Sequence, residues 1–416
     1  MTDQVTARRR YALVGTGNRG TNMWGKGLLA GWHDAVDLVA ICDTNEMRAS
    51  RARKMMNSNA PIYTDFGRLL DEQKPELVIV CSPDYTHDDI IVAAMEAGAD
   101  VISEKPMATT PEKIRRIIDA EKRTGRRLDV SFNYRFAPTA AKIKSLLKSG
   151  AIGTVTSVDF HWYLDTDHGA DYFRRWHAYR ANSGSLFVHK ATHHFDLLNW
   201  YLDTEPETVS AFGELRNYGK AGPFRSVRCK GCEYADKCNF YLDLSAKPFL
   251  DELYEAPSAV DGYFRDACVY REDIDIPDTM VATIEYRNKV VASYSVNTYM
   301  PIEGHAVAFN GTEGRLELRQ YEDQPWQTPD QDEILLVRNF GKGFERIVVP
   351  HAPGGHYGGD DLMRNMIFKS GTDDLGQRAG SRAGAMSVLC GVAAMQSAST
   401  GRKVRIDEIY PEVWTV

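Results

Sequence analysis

Tyr11-Ala12-Leu13-Val14 runs directly into Gly15-Thr16-Gly17-Asn18-Arg19-Gly20, and a helix-compatible segment opens near Thr21. A short apolar strand that turns through G-x-G-x-x-G into a helix is the phosphate-binding turn of a doubly wound α/β sheet. The first glycine permits the tight turn, the second lets backbone N–H groups approach a pyrophosphate, and the third lets helix pack closely on strand. Gly15, Gly17 and Gly20, with Asn18 and Arg19 between them, are therefore candidate cofactor-binding residues.

Outward from this turn, Asp37 to Cys42 reads as a second buried strand that ends in Asp43, 23 residues beyond Gly20. A carboxylate about 20 residues past the glycines accepts hydrogen bonds from the adenosine ribose and repels a 2'-phosphate, so NAD is expected over NADP. Leu77 to Cys81 and Asp100 to Ser103 are further apolar strands around a helix at Asp88 to Ala97, and Leu128 to Phe132 is the last of the series. Strands alternating with helices imply a parallel Rossmann sheet whose ligands sit at the carboxyl ends of the strands. Ser82, Pro83, His87 and Glu104-Lys105-Pro106 fall there and join the cofactor set.

The chain has 416 residues, too many for one core, so two domains are expected: 1–135 for the dinucleotide and 136–416 for substrate and oligomerisation. Hydrophobic residues make up 43% and charged residues 26%, an ordinary globular balance. Fifty Lys and Arg against 57 Asp and Glu give a net charge of -7 without a long basic tract, which argues against nucleic acid as a partner. Arg8, Arg9 and Arg10 precede an apolar run too short for a signal peptide or a membrane span, so a cytoplasmic protein with reduced cysteines is expected.

Glu104-Lys105-Pro106 behind the glycine turn resembles the glucose-fructose oxidoreductase and inositol dehydrogenase family, Gfo/Idh/MocA, and the resemblance covers most of the chain. It implies that Lys105 lies between nicotinamide and substrate. The chemistry fits a lysine: a hydride leaves a carbinol carbon as the hydroxyl proton departs, and an ammonium beside the oxygen stabilises the developing alkoxide. The second resemblance is Gly184-Ser185-Leu186-Phe187-Val188-His189-Lys190-Ala191-Thr192-His193-His194-Phe195-Asp196, which implies that His193 is the catalytic histidine. His189 stands where the family has an aspartate, so either His189 takes over through hydrogen bonding, or Asp196 or another acid orients His193. Three histidines in six residues also leave a metal triad open. Tyr134, after the last Rossmann strand, is a third catalytic candidate.

From Val155 the pattern turns toward alternation. Thr279 to Tyr286 and Lys289 to Asn297 read as a strand pair, Phe309 to Leu318 continues the sheet, and Val388 to Ser399 reads as a late helix. The resemblance implies an open, mostly antiparallel sheet here, whose outer face makes a homodimer or homotetramer. Asp171 to Arg180 combines arginines with aromatics, which suits a sugar-binding wall, although a packed surface helix with snorkelling arginines has the same composition. Arg174, Arg175, Trp176 and His177 are the substrate candidates from this segment, with Lys190, His194 and Tyr357 beyond it.

An insertion around 220–275 carries Cys229, Cys232, Cys238 and Cys268. Such spacing suits a closed tetrahedral site, with a structural zinc first, an iron-sulfur cluster second, and a disulfide pair or free thiols still open. The function expected is NAD-dependent hydride transfer to or from a secondary alcohol of a sugar, cyclitol or glycoside. One alternative is an NAD-dependent glycosidase that oxidises, eliminates, hydrates and reduces, on an anionic glycoside including a sulfonated one. Another is a non-catalytic NAD-binding sensor.

Overall fold

Six strands, β1 (Arg9–Val14), β2 (Val36–Cys42), β3 (Ile62–Tyr63), β4 (Leu77–Val80), β5 (Asp100–Ser103) and β6 (Leu128–Val130), form a parallel sheet in the order β3-β2-β1-β4-β5-β6. The computed structural model describes residues 8–369 and 371–414. Tyr11 to Val14 and Leu77 to Val80 are buried throughout, as expected of central parallel strands covered on both faces. The strand order reverses between β1 and β4, which opens the ligand crevice of a Rossmann sheet at their carboxyl ends. The helix after the glycine turn begins at Arg19, earlier than the sequence suggests, and is π-helical over Arg19–Lys26 before an α-helical turn at Gly27–Gly31.

The second sheet has nine strands: β7 (Val155–Asp165), β8 (Pro206–Glu214), β9 (Thr279–Tyr286), β10 (Val291–Met300), β11 (Glu303–Gly311), β12 (Gly314–Asp323), β13 (Gln331–Arg338), β14 (Phe344–Pro350) and β15 (Val404–Arg405). Only β7 and β10 pair in parallel; the remaining pairs are antiparallel. Phe309 to Leu318 is not one strand. The chain reverses at Thr312-Glu313 and pairs Phe309 with Leu316, as the two flanking glycine signals permit.

Helices Ala191–Leu202 and Ser381–Thr400 pack against each other, and the longer one lies on β8. They enclose a core that includes Phe160, Trp162, Leu197 and Leu389. Elsewhere on the sheet Phe212, Val281 and Val291 remain exposed. Between β8 and β9 the cysteine-bearing insertion carries two short helices, Pro248–Tyr254 and Ser258–Asp261. Leu253 and Tyr254 leave the second sheet altogether and pack with Met23, Trp24 and Leu28 beside the glycine turn.

Candidate active site

The glycine turn has the tight geometry its sequence demands. Gly15 has φ +90 and its Cβ would stand 2.5 Å from the Cys81 and Ser82 backbone, while a Cβ on Gly20 would meet the Gly15 carbonyl oxygen at 2.0 Å. Thr16 donates to Asp43 Oδ2 through its amide at 2.8 Å and its hydroxyl at 2.6 Å, and Asn45 N donates to Oδ1 at 2.9 Å. The Asp43 carboxylate is thereby pinned against the turn at the end of β2. Asn18 N donates to Tyr254 Oη at 2.8 Å.

Several residues assigned to the cofactor from sequence make contacts that join separate loops of the protein. Arg19 Nε donates to Glu104 Oε1 at 2.7 Å, and its terminal nitrogens reach Asp360 at 3.2 and 3.3 Å. Trp24 Nε1 shares Glu104 Oε1, so that carboxylate is a joint between the first helix and the segment after β5. Burial would raise the Asp360 carboxyl, but Arg19 and His356 outweigh it and hold the group well below the usual range. His87 is fully buried between the carbonyls of Pro106 at 2.8 Å and Ser82 at 2.9 Å, and ties the two loops together. Ser82 Oγ accepts from Thr86 Oγ1 at 2.7 Å.

Lys105 Nζ donates to the His189 carbonyl at 3.1 Å, which joins the first sheet to the segment that resembles the family's histidine motif. Burial pushes this ammonium down to about 8, assisted by the neighbouring charge of Lys190 and opposed by Asp84. His189 Nδ1 lies 2.6 Å from Asp84 Oδ2. Asp84, which the sequence did not single out, comes from the Ser82-Pro83-Asp84 turn after β4 and pairs with His189, not with His193. Burial drives both members of this pair toward their neutral forms, raising Asp84 and lowering His189 well below an ordinary histidine.

His193 lies one turn further on, its ring 4.8 Å from that of Tyr134 and edge-on to it. Its Nδ1 is buried without a hydrogen-bond partner, and burial, with the charge of Lys105, keeps the ring neutral. Asp196 does not orient His193. It is held by Arg135 Nε at 2.7 Å and Nη2 at 2.5 Å, both side chains almost fully buried. The three histidines of this segment do not converge: His189 faces Asp84, His193 faces Tyr134, and His194 Nδ1 pairs with Tyr294 Oη at 2.7 Å. Among the described residues no group of three or more His, Cys, Asp or Glu is arranged to hold a metal ion, so the metal triad is not formed.

The walls divide the remaining candidates. His177 lies 4.2 Å from His189, ring to ring, and stacks on Trp176 at 3.7 Å; its Nδ1 is also buried and without a partner. Lys190 Nζ lies over the rings of Trp162 at 5.1 Å and Tyr134 at 6.0 Å. His194 stacks on the other partner of that lysine, Trp162, at 4.1 Å, and is turned into the sheet instead of toward Lys105. Tyr357 and His356 approach Tyr134 from the loop before the helix Gly359–Phe368, both with left-handed backbone, at φ 56 and 53. Arg175 reaches Tyr263 Oη at 3.4 Å.

Arg174 belongs elsewhere. Its Nη1 donates to Cys229 Sγ at 3.4 Å and its Nη2 to the Phe240 carbonyl, so it faces the insertion and not the substrate wall. The four insertion cysteines do line one small cavity, but all are free, and the guanidinium of Arg174 enters the same space. Among the described residues no group of three or more His, Cys, Asp or Glu, these cysteines included, is arranged to hold a metal ion. The expected zinc or iron-sulfur site is therefore not supported. The insertion is held by other means, including Arg228 with Glu255 and Asp266, and Arg265 with Asp171.

The family comparisons agree with this geometry. The description "Oxidoreductase family, NAD-binding Rossmann fold" matches residues 9–132, and "Oxidoreductase family, C-terminal alpha/beta domain" matches residues 144–406. The chain belongs to the Gfo/Idh/MocA oxidoreductase family. It is 35% identical to "Putative oxidoreductase YteT" of Bacillus subtilis (strain 168), over 97% of this chain and 99% of that one. It is 28% identical to "Inositol 2-dehydrogenase/D-chiro-inositol 3-dehydrogenase" of Lactiplantibacillus plantarum, over 42% of this chain and 48% of that one. Among solved structures, "Levoglucosan dehydrogenase, complex with NADH and levoglucosan" shares the fold with a TM-score of 0.69 and 19% identity, covering 96% of this chain and 99% of that one. No helix among the described residues is long and apolar enough to cross a membrane.

Proposed function

We propose that this protein is an NAD-dependent oxidoreductase that moves a hydride to or from a secondary alcohol of a sugar, cyclitol or glycoside, with residues 1–135 serving the cofactor and 136–416 the substrate and a homo-oligomer contact. The observation that carries the reading is Lys105 held on the His189 carbonyl, beside the buried and partnerless nitrogens of His193 and His177. Buried polar atoms without partners are costly, and a hydroxyl-rich ligand satisfies them.

The turn Gly15–Gly20 is shaped for the pyrophosphate of NAD, with Asp43 for the adenosine ribose and Ser82 and Pro83 alongside. When bound, NAD supplies the hydride acceptor, and in its reduced form the donor. Because burial brings Lys105 down to about 8, a free amine is accessible near neutral pH. Its Nζ takes the alcohol proton as the hydride departs, and the ammonium so formed stabilises the alkoxide in the reverse direction. His193, kept neutral, orients the same hydroxyl or relays its proton, and Asp84 fixes His189 so that its carbonyl holds Lys105 in place. Tyr134 closes the pocket on the side of His193.

Lys190, buried, and Arg175, half-buried, are cations that make no ion pair among the described residues, which favours a substrate carrying a carboxylate or sulfonate. A panel of neutral and anionic sugars and glycosides, incubated with the protein and NAD, tests the reading. NADH rising in step with a keto-sugar is the expected result. Aglycone release without net NADH would replace it by the redox-neutral glycosidase, and NAD binding without turnover, with no effect of Lys105→Ala on the host, by the sensor.

A further inference from the structure

The insertion between β8 and β9 does not end at its cysteines. Its segment from Pro248 to Tyr263 lies against the start of the helix Glu46–Met55 that follows β2, next to the glycine turn and Asp43, which mark the adenosine side of the dinucleotide site. Asn45 Nδ2 donates to the Pro257 carbonyl at 2.9 Å and to Asp261 Oδ2 at 2.8 Å. Arg48 Nη2 reaches the same Asp261 oxygen at 2.5 Å, and Arg51 Nη1 donates to the Glu252 carbonyl at 2.7 Å. Tyr254 Oη, accepting from Asn18 N, seats the segment directly on the turn.

Arg48 is the centre of this contact. Its Nη1 lies 3.6 Å from Asp43 Oδ1, and its guanidinium stands over the rings of Tyr254 at 5.6 Å and Tyr263 at 5.8 Å. An arginine near the ribose carboxylate is the feature by which Rossmann sites accept a 2'-phosphate. Here that guanidinium is claimed from both sides. Asp43 alone against Arg48 would leave the ribose end neutral, and Asp261 restores a net negative charge and engages Nη2 of the guanidinium.

We propose that Asp261, acting through Arg48, sets the preference of this protein for the dinucleotide without a 2'-phosphate, so that the insertion is a coenzyme-specificity element. Asp261 is a positioning residue: it holds Arg48 and need not touch the cofactor. The proposal rests on the dinucleotide reading of the glycine turn, and the experiment separates the two.

The full chain is titrated with NAD+, NADP+ and 2',5'-ADP, with binding followed by calorimetry. Wild type is expected to bind NAD+ well above NADP+. Asp261→Asn keeps the shape and removes the charge, and should narrow that ratio by about tenfold through tighter NADP+ and 2',5'-ADP binding, the scale of one charged hydrogen bond. Adding Arg48→Met should cancel the gain. An unchanged ratio in folded Asp261→Asn, or a gain that survives loss of Arg48, overturns the proposal. If Asp261→Asn does not fold, Arg48→Met alone decides. The proposal expects its NADP+ to NAD+ ratio to stay near that of wild type because Arg48 is already occupied, and a tenfold selective loss of NADP+ would overturn it. Wild type binding none of the three ligands would instead overturn the dinucleotide reading itself.

Discussion

Replacing Lys190 by Met should make Lys105 a weaker acid, and the structure bounds the size of the change from both sides. Burial is the larger cause of the depression of Lys105 to about 8, and it survives the replacement, so the new value must stay below that of an ordinary lysine, near 10.4. Removing the neighbouring positive charge should nevertheless raise it by on the order of one unit, about 1.4 kcal/mol. At pH 7 about one Lys105 in ten is then a free amine in the wild type, and about one in a hundred in the variant. Trace labelling with acetic anhydride between pH 6.5 and 11, quantified by peptide mass spectrometry against the exposed Lys122, reads this without any substrate. Once a substrate is in hand, the oxidation rate should rise tenfold per pH unit up to the same midpoint, since only the free amine accepts the proton. A wild-type midpoint above about 10, or a midpoint unmoved in a folded Lys190→Met, would refute the account of Lys105 as a half-buried amine tuned by its neighbours.

Asp84→Asn should lower kcat by roughly 10- to 100-fold with a smaller change in KM, because it disturbs the support of Lys105 and not the sugar contacts; equal loss of NAD binding would point to a broader collapse. Arg135→Met leaves Asp196 buried and unpaired and should cost about 3–5 kcal/mol in urea denaturation, and a loss under about 1 kcal/mol would mean the pair is not closed in solution. Gly20→Ala would place a Cβ against the Gly15 carbonyl oxygen, so NAD affinity should fall at least about tenfold while the far-UV circular dichroism of the whole chain stays near that of wild type. Gently purified protein should carry far less than one equivalent of zinc or iron, and a stoichiometric metal removed only by denaturation would reverse the conclusion drawn from the free cysteines.

The Rossmann half was legible because its information is local. Continuous apolar runs such as Leu77 to Val80, and glycines at fixed spacing, dictate strand and turn without reference to the rest of the chain. Lys105 and His193 were placed by motif. Asp84 was not, because nothing near it in sequence distinguishes it from an ordinary turn carboxylate, and its partner His189 lies 105 residues away. Asp196 misled for the converse reason: an acid one helical turn from His193 is a natural orienting group until Arg135, from the turn after β6, is seen to take both its oxygens. In the second sheet β13 carries a period-two signal in Ile334 and Leu336, whereas β14 has only Val349 well buried and offers little pattern to read. The cysteine spacing suggested a metal because spacing alone does not show Arg174 entering the same cavity.

Arg19 is gripped by Glu104 of the first sheet's loops and by Asp360, which follows almost everything else in the chain. During synthesis, therefore, the glycine turn emerges early, but its neighbour waits for a carboxylate made some 340 residues later. A nascent chain can complete its parallel sheet while Lys105 still has no His189 carbonyl to lean on and no histidines opposite it. The frame around the glycine turn is thus closed only with the last third of the polypeptide, when Asp360 is made.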